Sequence, residues 1–131
     1  MGSVGKLLYL GTVQGKLMTP IADTPKPPYY AVIFSSTLAS VDVGVDHDYG
    51  ATAHRMVELA AQQSGFLGIE SAREEGDLDF GLTVSYWSDL ESIKQWKANV
   101  EHLEAQRLGH RFWYQSFKVR IAKVERDYGV W

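Results

Sequence analysis

The sequence predicts a single α+β domain built on an antiparallel sheet, and three observations lead to this fold class. Stretches rich in aromatic and β-branched residues alternate along the chain with two stretches of helical periodicity. Turns containing glycine and charged residues separate them. The chain has 131 residues, 45% of them hydrophobic, which is enough for one core but short for two domains.

The first half of this domain reads as strand, helix, strand, strand. Residues 29–38, YYAVIFSSTL, are apolar on both parities and predict a buried strand. Apolar residues at helical spacing predict a helix over about 48–64, with Gly65 as its stop. Residues 65–73 and 81–87 predict the second and third strands, joined by a charged turn.

The second half reads as helix, then strand. Ser88 and Glu91 form a capping-box pattern that predicts a helix running to about Leu108, ended by Gly109. Residues 113–128 predict a long last strand. The order β-α-β-β-α-β is that of the ferredoxin-like fold, an antiparallel sheet with both helices on one face.

An N-terminal arm precedes the domain, so the predicted division is 1–28 for the arm with its proline-rich linker and 29–128 for the domain. The sequence PKPP (25–28) cannot continue a helix or donate fully to a sheet, and therefore predicts an extended linker. Residues 6–18 are too apolar for a solvated tail. They predict a strand or loose hairpin added to a sheet edge.

The strand pattern also predicts a homodimer. Helices on one face leave the other face of the sheet uncovered. Yet several strands have apolar residues at both odd and even positions, which point to opposite faces of the sheet. That uncovered face would be a larger apolar patch than a monomer usually exposes. We therefore expect a second copy of the chain to cover it.

Composition excludes several classes of function. The chain has no cysteine, which excludes disulfides and thiolate chemistry. Its net charge is −3 and its basic residues are scattered, so we expect no nucleic-acid partner. No segment has the apolar length of a membrane helix or the pattern of a secretory signal, and we expect a cytoplasmic protein with no membrane association.

Four segments resemble the antibiotic biosynthesis monooxygenase family: PYYAVIFSSTL (28–38), RMVELAAQQSGFLGIESAR (55–73), TVSYWSDLESIKQWK (83–97) and VRIAKVERDY (119–128). The resemblance implies that two copies close their sheets into a dimeric α+β barrel. It also implies a cavity between the sheet and the helices of each copy. Some members of the family are cofactor-free oxygenases acting on aromatic or quinol-like substrates, and others degrade haem.

The resemblance directs the choice of site residues. A cofactor-free oxygenase needs a base to ionise its substrate, aromatic walls to hold it and donors for the developing oxyanion. For Trp87 and Trp96, the alternative interpretation is that they pack in the core and do not line the cavity. The catalytic candidates are His102, Gln106 and Trp87. The candidates for binding a small hydrophobic or aromatic ligand are Phe34, Trp96, Trp113, Tyr114 and Ser116.

Haem chemistry fits the sequence less well. Counting along the second helix as in haem-degrading relatives places Gln106 where they carry an axial histidine, and Phe34 falls at or near their cavity asparagine. His102 lies one turn earlier and could ligate iron only if displaced. We therefore expect no cofactor and no metal. The predicted function is a cofactor-independent monooxygenase acting on a small aromatic or quinonoid molecule; the alternatives are a non-catalytic ligand-binding dimer and, less favoured, a haem protein.

Overall fold

The computed structural model describes residues 6–7, 12–13, 16–17, 20–38, 56–74, 79–106 and 114–130, and their side chains over 20–37, 56–74, 79–100 and 116–130. Within these ranges the chain forms short N-terminal strands, four long strands and two helices. The strands are β1 (Lys6–Leu7), β2 (Thr12–Val13), β3 (Lys16–Leu17), β4 (Tyr29–Leu38), β5 (Phe66–Arg73), β6 (Phe80–Trp87) and β7 (Tyr114–Val124). The helices are α1, described over 56–61, and α2 (Leu90–Gln106).

The main sheet has the order β1-β5-β6-β4-β7 in the described part of the chain, with antiparallel neighbours throughout. Its four long strands follow the ferredoxin-like order, which confirms the predicted α+β fold. The short strand β1 extends the sheet beside β5, with Lys6 opposite Arg73. The strands β2 and β3 pair with each other as a separate hairpin. The apolar arm thus adds a strand to a sheet edge, as its sequence predicts.

The core lies between the sheet and the two helices. Val32 of β4, Ala60 of α1, Trp87 of β6 and Ile93 of α2 form one buried cluster. Since side chains alternate between the two faces of a strand, this cluster defines a helix-side face of the sheet and, opposite to it, an open face. No helix in the described ranges is long and apolar enough to cross a membrane.

The end of α1 differs from its prediction. Its described helical residues are 56–61, and 62–65 form turns rather than a continued helix. Gly65 does not end the helix in the left-handed backbone conformation. A Cβ at Gly65 would lie 2.0 Å from the side-chain oxygen of Ser92. Glycine is therefore required because α2 approaches the turn so closely.

The N-terminus of α2 is capped by Asp89 rather than by Ser88. The backbone N–H of Ser92 donates to Asp89 Oδ1 at 2.7 Å, whereas the Ser88 hydroxyl donates to Asp89 Oδ2 at 3.0 Å. The predicted capping box over Ser88 and Glu91 is thus wrong by one residue. The helix begins at Leu90, so the residue in the N-cap position is the aspartate.

A strap, residues 20–28, is fastened to one end of the open face. The backbone N–H of Ala22 donates to Glu70 at 3.0 Å, and the Tyr86 hydroxyl donates to the other oxygen of Glu70 at 2.7 Å. The Tyr29 hydroxyl donates to Asp127, joining the first residue of β4 to the segment after β7. Glu70 thus holds the strap against the sheet through Ala22.

Candidate functional site

Side chains from four strands cross the helix-side face in rows, which the pairing register defines. The first row is Arg73, Gly81, Ser36 and Phe117, and the second is Ser71, Thr83, Phe34 and Val119. The third row is Ile69, Ser85, Val32 and Ile121, and the fourth is Phe66, Trp87, Tyr30 and Lys123. Each row runs from β5 through β6 and β4 to β7.

A bulge in β5 sets which of its residues join these rows. The register against β6 shifts between Phe66 and Gly68. Because of this extra residue, Phe66 and Ile69 point to the same face although they are three positions apart. The bulge therefore directs Ile69, and after it Ser71 and Arg73, toward the helix side.

On β5, β6 and β4, the third and fourth rows form the packed end of the face, whereas Ile121 on β7 is 53% exposed. Trp87 is fully buried, and its ring lies 5.5 Å from Phe66 and 5.1 Å from Trp96 of α2. Its indole N–H donates to the Ser85 hydroxyl at 2.9 Å. The indole nitrogen of Trp96 is also buried, with no hydrogen-bond partner in the part of the chain described. Both tryptophans thus pack in the core, where they close one end of the face.

The first and second rows carry an exposed aromatic surface. The rings of Phe34 and Phe117 stack at 5.7 Å with 22° between their planes, and we call this pair the aromatic platform. Phe117 is 63% exposed and its neighbour Val119 is 47% exposed. Apolar side chains this exposed on the face that helices cover offer a flat surface to a planar ligand.

Polar side chains lie beside the platform in the same two rows. The hydroxyls of Ser71 and Thr83 are hydrogen-bonded to each other at 2.8 Å. Arg73 donates to the Ser36 hydroxyl at 2.8 Å and to the backbone carbonyl of Asp79. The arrangement thus combines apolar stacking area with hydroxyl groups and one guanidinium, which can orient an oxygen-bearing aromatic molecule and stabilise negative charge on it.

The structure brings together part of the predicted site. Phe34 and Trp87 lie on the helix-side face, and Trp96 packs on Trp87. Ser116 is separated from them, because it pairs with Thr37 and their hydroxyls meet at 2.6 Å on the open face. The alternation of side chains along β7 accounts for this separation.

The remaining candidates are only partly covered by the described ranges. His102 and Gln106 belong to α2, and Tyr114 begins β7, but their side chains lie outside the ranges for which side chains are described. Trp113 lies outside the described residues altogether. Their roles stay predictions.

Sequence reasoning missed the cationic part of this face. Arg73 ends β5 in the first row, opposite Gly81, and its tip reaches Ser36 on β4. A strand residue that faces a glycine on its neighbour has room to lie across it. This signal depends on the register, which the bulge in β5 sets.

Metal ligation is not indicated by the described side chains, among which no group of three histidine, aspartate or glutamate residues is suitably clustered. An open groove of about 670 Å³ lies elsewhere, between the strap and the segment after β7. Its lining residues are Lys26, Pro27, Glu125, Arg126, Asp127 and Tyr128. None of them belongs to the four rows, so the groove is separate from the candidate site.

The chain belongs to the antibiotic biosynthesis monooxygenase family, whose model matches residues 34–108, more than half of its length. This match includes the platform residue Phe34, the strands β5 and β6, and α2. It confirms the family resemblance noted in the sequence.

Individual proteins are also similar to this chain. The "Uncharacterized protein YqjZ" of Bacillus subtilis (strain 168) is 50% identical over 111 residues, covering 85% of this chain and 92% of that protein. Among solved structures, PA3566 from Pseudomonas aeruginosa has a TM-score of 0.58 at 17% identity, covering 79% of this chain and 99% of that one. A mutant of SnoaB, a cofactor-independent oxygenase from Streptomyces nogalater, has a TM-score of 0.59 at 15% identity, covering 76% of this chain and 95% of that one. At these identities the two structures show a shared fold.

Proposed function

We propose that this protein is a cofactor-independent monooxygenase acting on a small aromatic or quinonoid molecule. The observation that carries the proposal is the exposed stack of Phe34 on Phe117 beside the hydroxyls of Ser71 and Thr83. Family membership and the fold shared with SnoaB, itself a cofactor-independent oxygenase, support it.

The reaction needs no external reductant. A base removes a proton from an acidic C–H group of an enolisable phenol or anthrone-type ring, and the resulting anion gives its electrons to O₂. A C–O bond forms and protonation yields a hydroperoxide. Loss of water then leaves a carbonyl, so that one oxygen atom enters the product and the other leaves as water.

The residues divide these tasks. The aromatic platform holds the ring, and the Trp87–Trp96 pair forms the packed end of the same face. His102 is the proposed base, because imidazole accepts protons near neutral pH. Gln106 is the proposed amide donor to the developing oxyanion. Trp113 and Tyr114 complete the proposed ligand contacts at the start of β7.

We also propose that the active form is a homodimer. The open face exposes Phe80 by 43% and Leu82 by 40%, at the end that the strap does not cover. Covering this apolar surface with the same surface of a second copy would remove it from water.

Oxygen consumption tests the activity. Anthrone and a reduced naphthoquinone would be supplied to the purified protein, with uptake compared against the spontaneous rate. We expect enhanced uptake that Phe117→Ala reduces, while Tyr128→Ala, which truncates a 99% exposed aromatic residue outside the site, leaves it unchanged. Uptake equal to the spontaneous rate across such a panel would instead favour a non-catalytic, small-ligand-binding dimer.

A further inference from the structure

We propose that the indole N–H of Trp96 is a specificity-determining donor, which binds an oxygen atom carried by the aromatic ligand of the helix-side face. This inference rests on the proposed function and names the class of ligand more closely: a planar aromatic molecule with a carbonyl, hydroxyl or phenolate oxygen. The observation behind it is the state of this N–H in the free protein.

The indole nitrogen of Trp96 is a buried donor without an acceptor. The side chain as a whole is partly exposed, yet its nitrogen is shielded from solvent and has no hydrogen-bond partner in the described part of the chain. Leaving a buried donor unpaired costs stability, and such groups are rare in folded proteins. A phenylalanine would pack in the same place without that cost. The N–H is thus available to an acceptor that a ligand brings.

The neighbouring tryptophan is in the opposite state. The rings of Trp87 and Trp96 lie 5.1 Å apart, tilted by 31°, but the N–H of Trp87 donates to Ser85 at 2.9 Å. Among the described residues, the sheet therefore supplies an acceptor to one indole of the pair and none to the other. The pair has a single N–H left for a ligand, and it belongs to α2.

A trapped water molecule is a poor partner for this N–H. A buried water typically makes about three hydrogen bonds to polar groups around it. Trp96 packs against a buried cluster made of Val32, Ala60, Trp87 and Ile93. The side chains of that cluster carry one polar atom, the Trp87 indole nitrogen, which is itself a donor and already bonded. A ligand oxygen needs no such set of partners, because the packing of its own aromatic ring holds it.

The course of α2 places Trp96 between the packed end and the aromatic platform. The helix begins three residues after Trp87, at the packed end. Strand β7 begins with Tyr114 opposite Leu38, beyond the platform residue Phe117. The helix therefore carries the chain toward the platform end, and Trp96 lies six residues, or about 9 Å, along it. A ligand ring on the platform then has Trp96 on its packed-end side.

The chemistry of indole decides which substituent is recognised. An indole N–H can only donate, so it selects an atom with a lone pair, and a hydrocarbon substituent gives it nothing. In the proposed reaction the substrate anion carries negative charge on such an oxygen. The hydrogen bond from Trp96 then becomes stronger as the base removes the proton. The platform selects a flat ring, and Trp96 selects the oxygen on it.

NMR of the indole N–H groups tests the proposal with two probes of similar size, naphthol and methylnaphthalene. We expect naphthol to move the Trp96 N–H resonance downfield, because a hydrogen bond deshields the proton, and methylnaphthalene to move it much less. Comparing the two probes separates the hydrogen bond from the ring-current shift that any stacked aromatic ring causes. The N–H of Trp87, already bonded to Ser85, is the internal control and should respond alike to both probes.

Calorimetric titration measures the same bond as an affinity. Trp96→Phe should weaken naphthol binding about threefold to tenfold more than it weakens methylnaphthalene binding, which is the size of a neutral hydrogen bond. Tyr128→Phe removes a hydroxyl from a 99% exposed ring outside the site and should leave both affinities unchanged. Melting temperatures are measured in parallel. If Trp96→Phe does not fold, the NMR comparison on the wild type decides the question.

The outcomes distinguish this inference from the proposed function. Equal responses of the Trp96 N–H to both probes, with oxygen uptake intact, overturn the role of Trp96 and leave the proposed function standing. A Trp96 N–H that is already hydrogen-bonded in the free protein, with a cross-peak to water, overturns it as well. Failure of both probes to bind, together with no oxygen uptake, overturns the site itself and the inference with it.

Discussion

The indole N–H of Trp87 donates to the hydroxyl of Ser85, two residues earlier on β6, at 2.9 Å. Trp87 is fully buried and Ser85 is 3% exposed, so water cannot replace this bond. The largest side chain of the core thus depends on one small neighbour for its only polar atom. The sequence alone does not single out Ser85 for this role.

Ser85→Ala should lower the free energy of unfolding by about 1–3 kcal/mol, because it leaves a buried indole N–H without an acceptor. Chemical denaturation measures this. The matched control is Ser64→Ala, in an exposed turn, which should change the free energy by less than about 0.5 kcal/mol. Equal effects of the two substitutions would contradict the role of Ser85.

Asp89→Ala should lower the melting temperature more than Ser88→Ala does. Asp89 accepts from the backbone N–H of Ser92 in the first turn of α2, whereas the exposed Ser88 hydroxyl bonds only the Asp89 side chain among the described contacts. Circular dichroism of the two variants checks which residue caps the helix. A larger loss at Ser88 would restore the capping box predicted from sequence.

The same carboxylate gives a pH dependence. The backbone N–H of Ser92, with the Ser92 and Ser88 side chains, holds the pKa of Asp89 below its ordinary value of 3.8. A lowered pKa contributes stability that is present above pH 3.8 and is lost as the pH falls through the folded-state value. The difference in melting temperature between the wild type and Asp89→Asn should therefore shrink below pH 3.8.

The tyrosines at the strap should make the protein sensitive to alkali. Burial raises the pKa of Tyr86, as does its hydrogen bond to Glu70; burial and Asp127 likewise raise that of Tyr29. For a raised pKa the stability is fully present below the ordinary value of 10.0 and is lost as the pH rises through the folded-state value. The double variant Tyr29→Phe/Tyr86→Phe should thus lose less stability than the wild type above pH 10.0, as thermal melts at stepped pH would show.

The proposed homodimer should depend on the open face. We expect a dimer by light scattering at micromolar concentration, with an interface upward of about 2,000 Å² in total. Leu82→Glu, which places a charge on this face, should give monomers, and Val130→Glu in the 97% exposed terminal segment should not. A monomeric wild type would rule out the paired-sheet arrangement.

Haem should not be a substrate. The sequence resemblance predicts that Gln106 falls where haem-degrading relatives carry their axial histidine, and a neutral amide is a poor iron ligand. Phe34 is stacked on Phe117 and offers no polar group to iron-bound oxygen. Haemin titration should give at most weak binding, with no loss of the Soret band after reductant and oxygen are added. A tight 1:1 complex that His102→Ala abolishes would reverse this expectation.

The sequence predicts the fold more fully than the site. The order of strands and helices follows from periodicity and turn residues alone, and the strand from Tyr29 to Leu38 matches β4 at both ends. The cap of α2 was misplaced by one residue because Ser88 and Asp89 are both good cap residues. The capping bond from the backbone N–H of Ser92 to the Asp89 carboxylate distinguishes them.

The site depends on register, which local sequence does not encode. Simple alternation would put Phe66 on the opposite face from Ile69 and Arg73, and the bulge between Phe66 and Gly68 removes that conflict. Ser116 is among the ligand-binding residues that the sequence predicts. Its pairing with Thr37 places it on the other side of the sheet.

The helix-side face also separates the residues that stabilise the fold from its exposed aromatic residues. Residues near Trp87 hold the fold together, and their replacement endangers the whole molecule. Phe117 and Val119, toward the other end of the same strands, are 63% and 47% exposed, so substitutions there should cost less stability. A sheet arranged in this way can change its exposed surface without losing its core, and it marks Phe117 and Val119 as the positions to randomise when a new specificity is wanted.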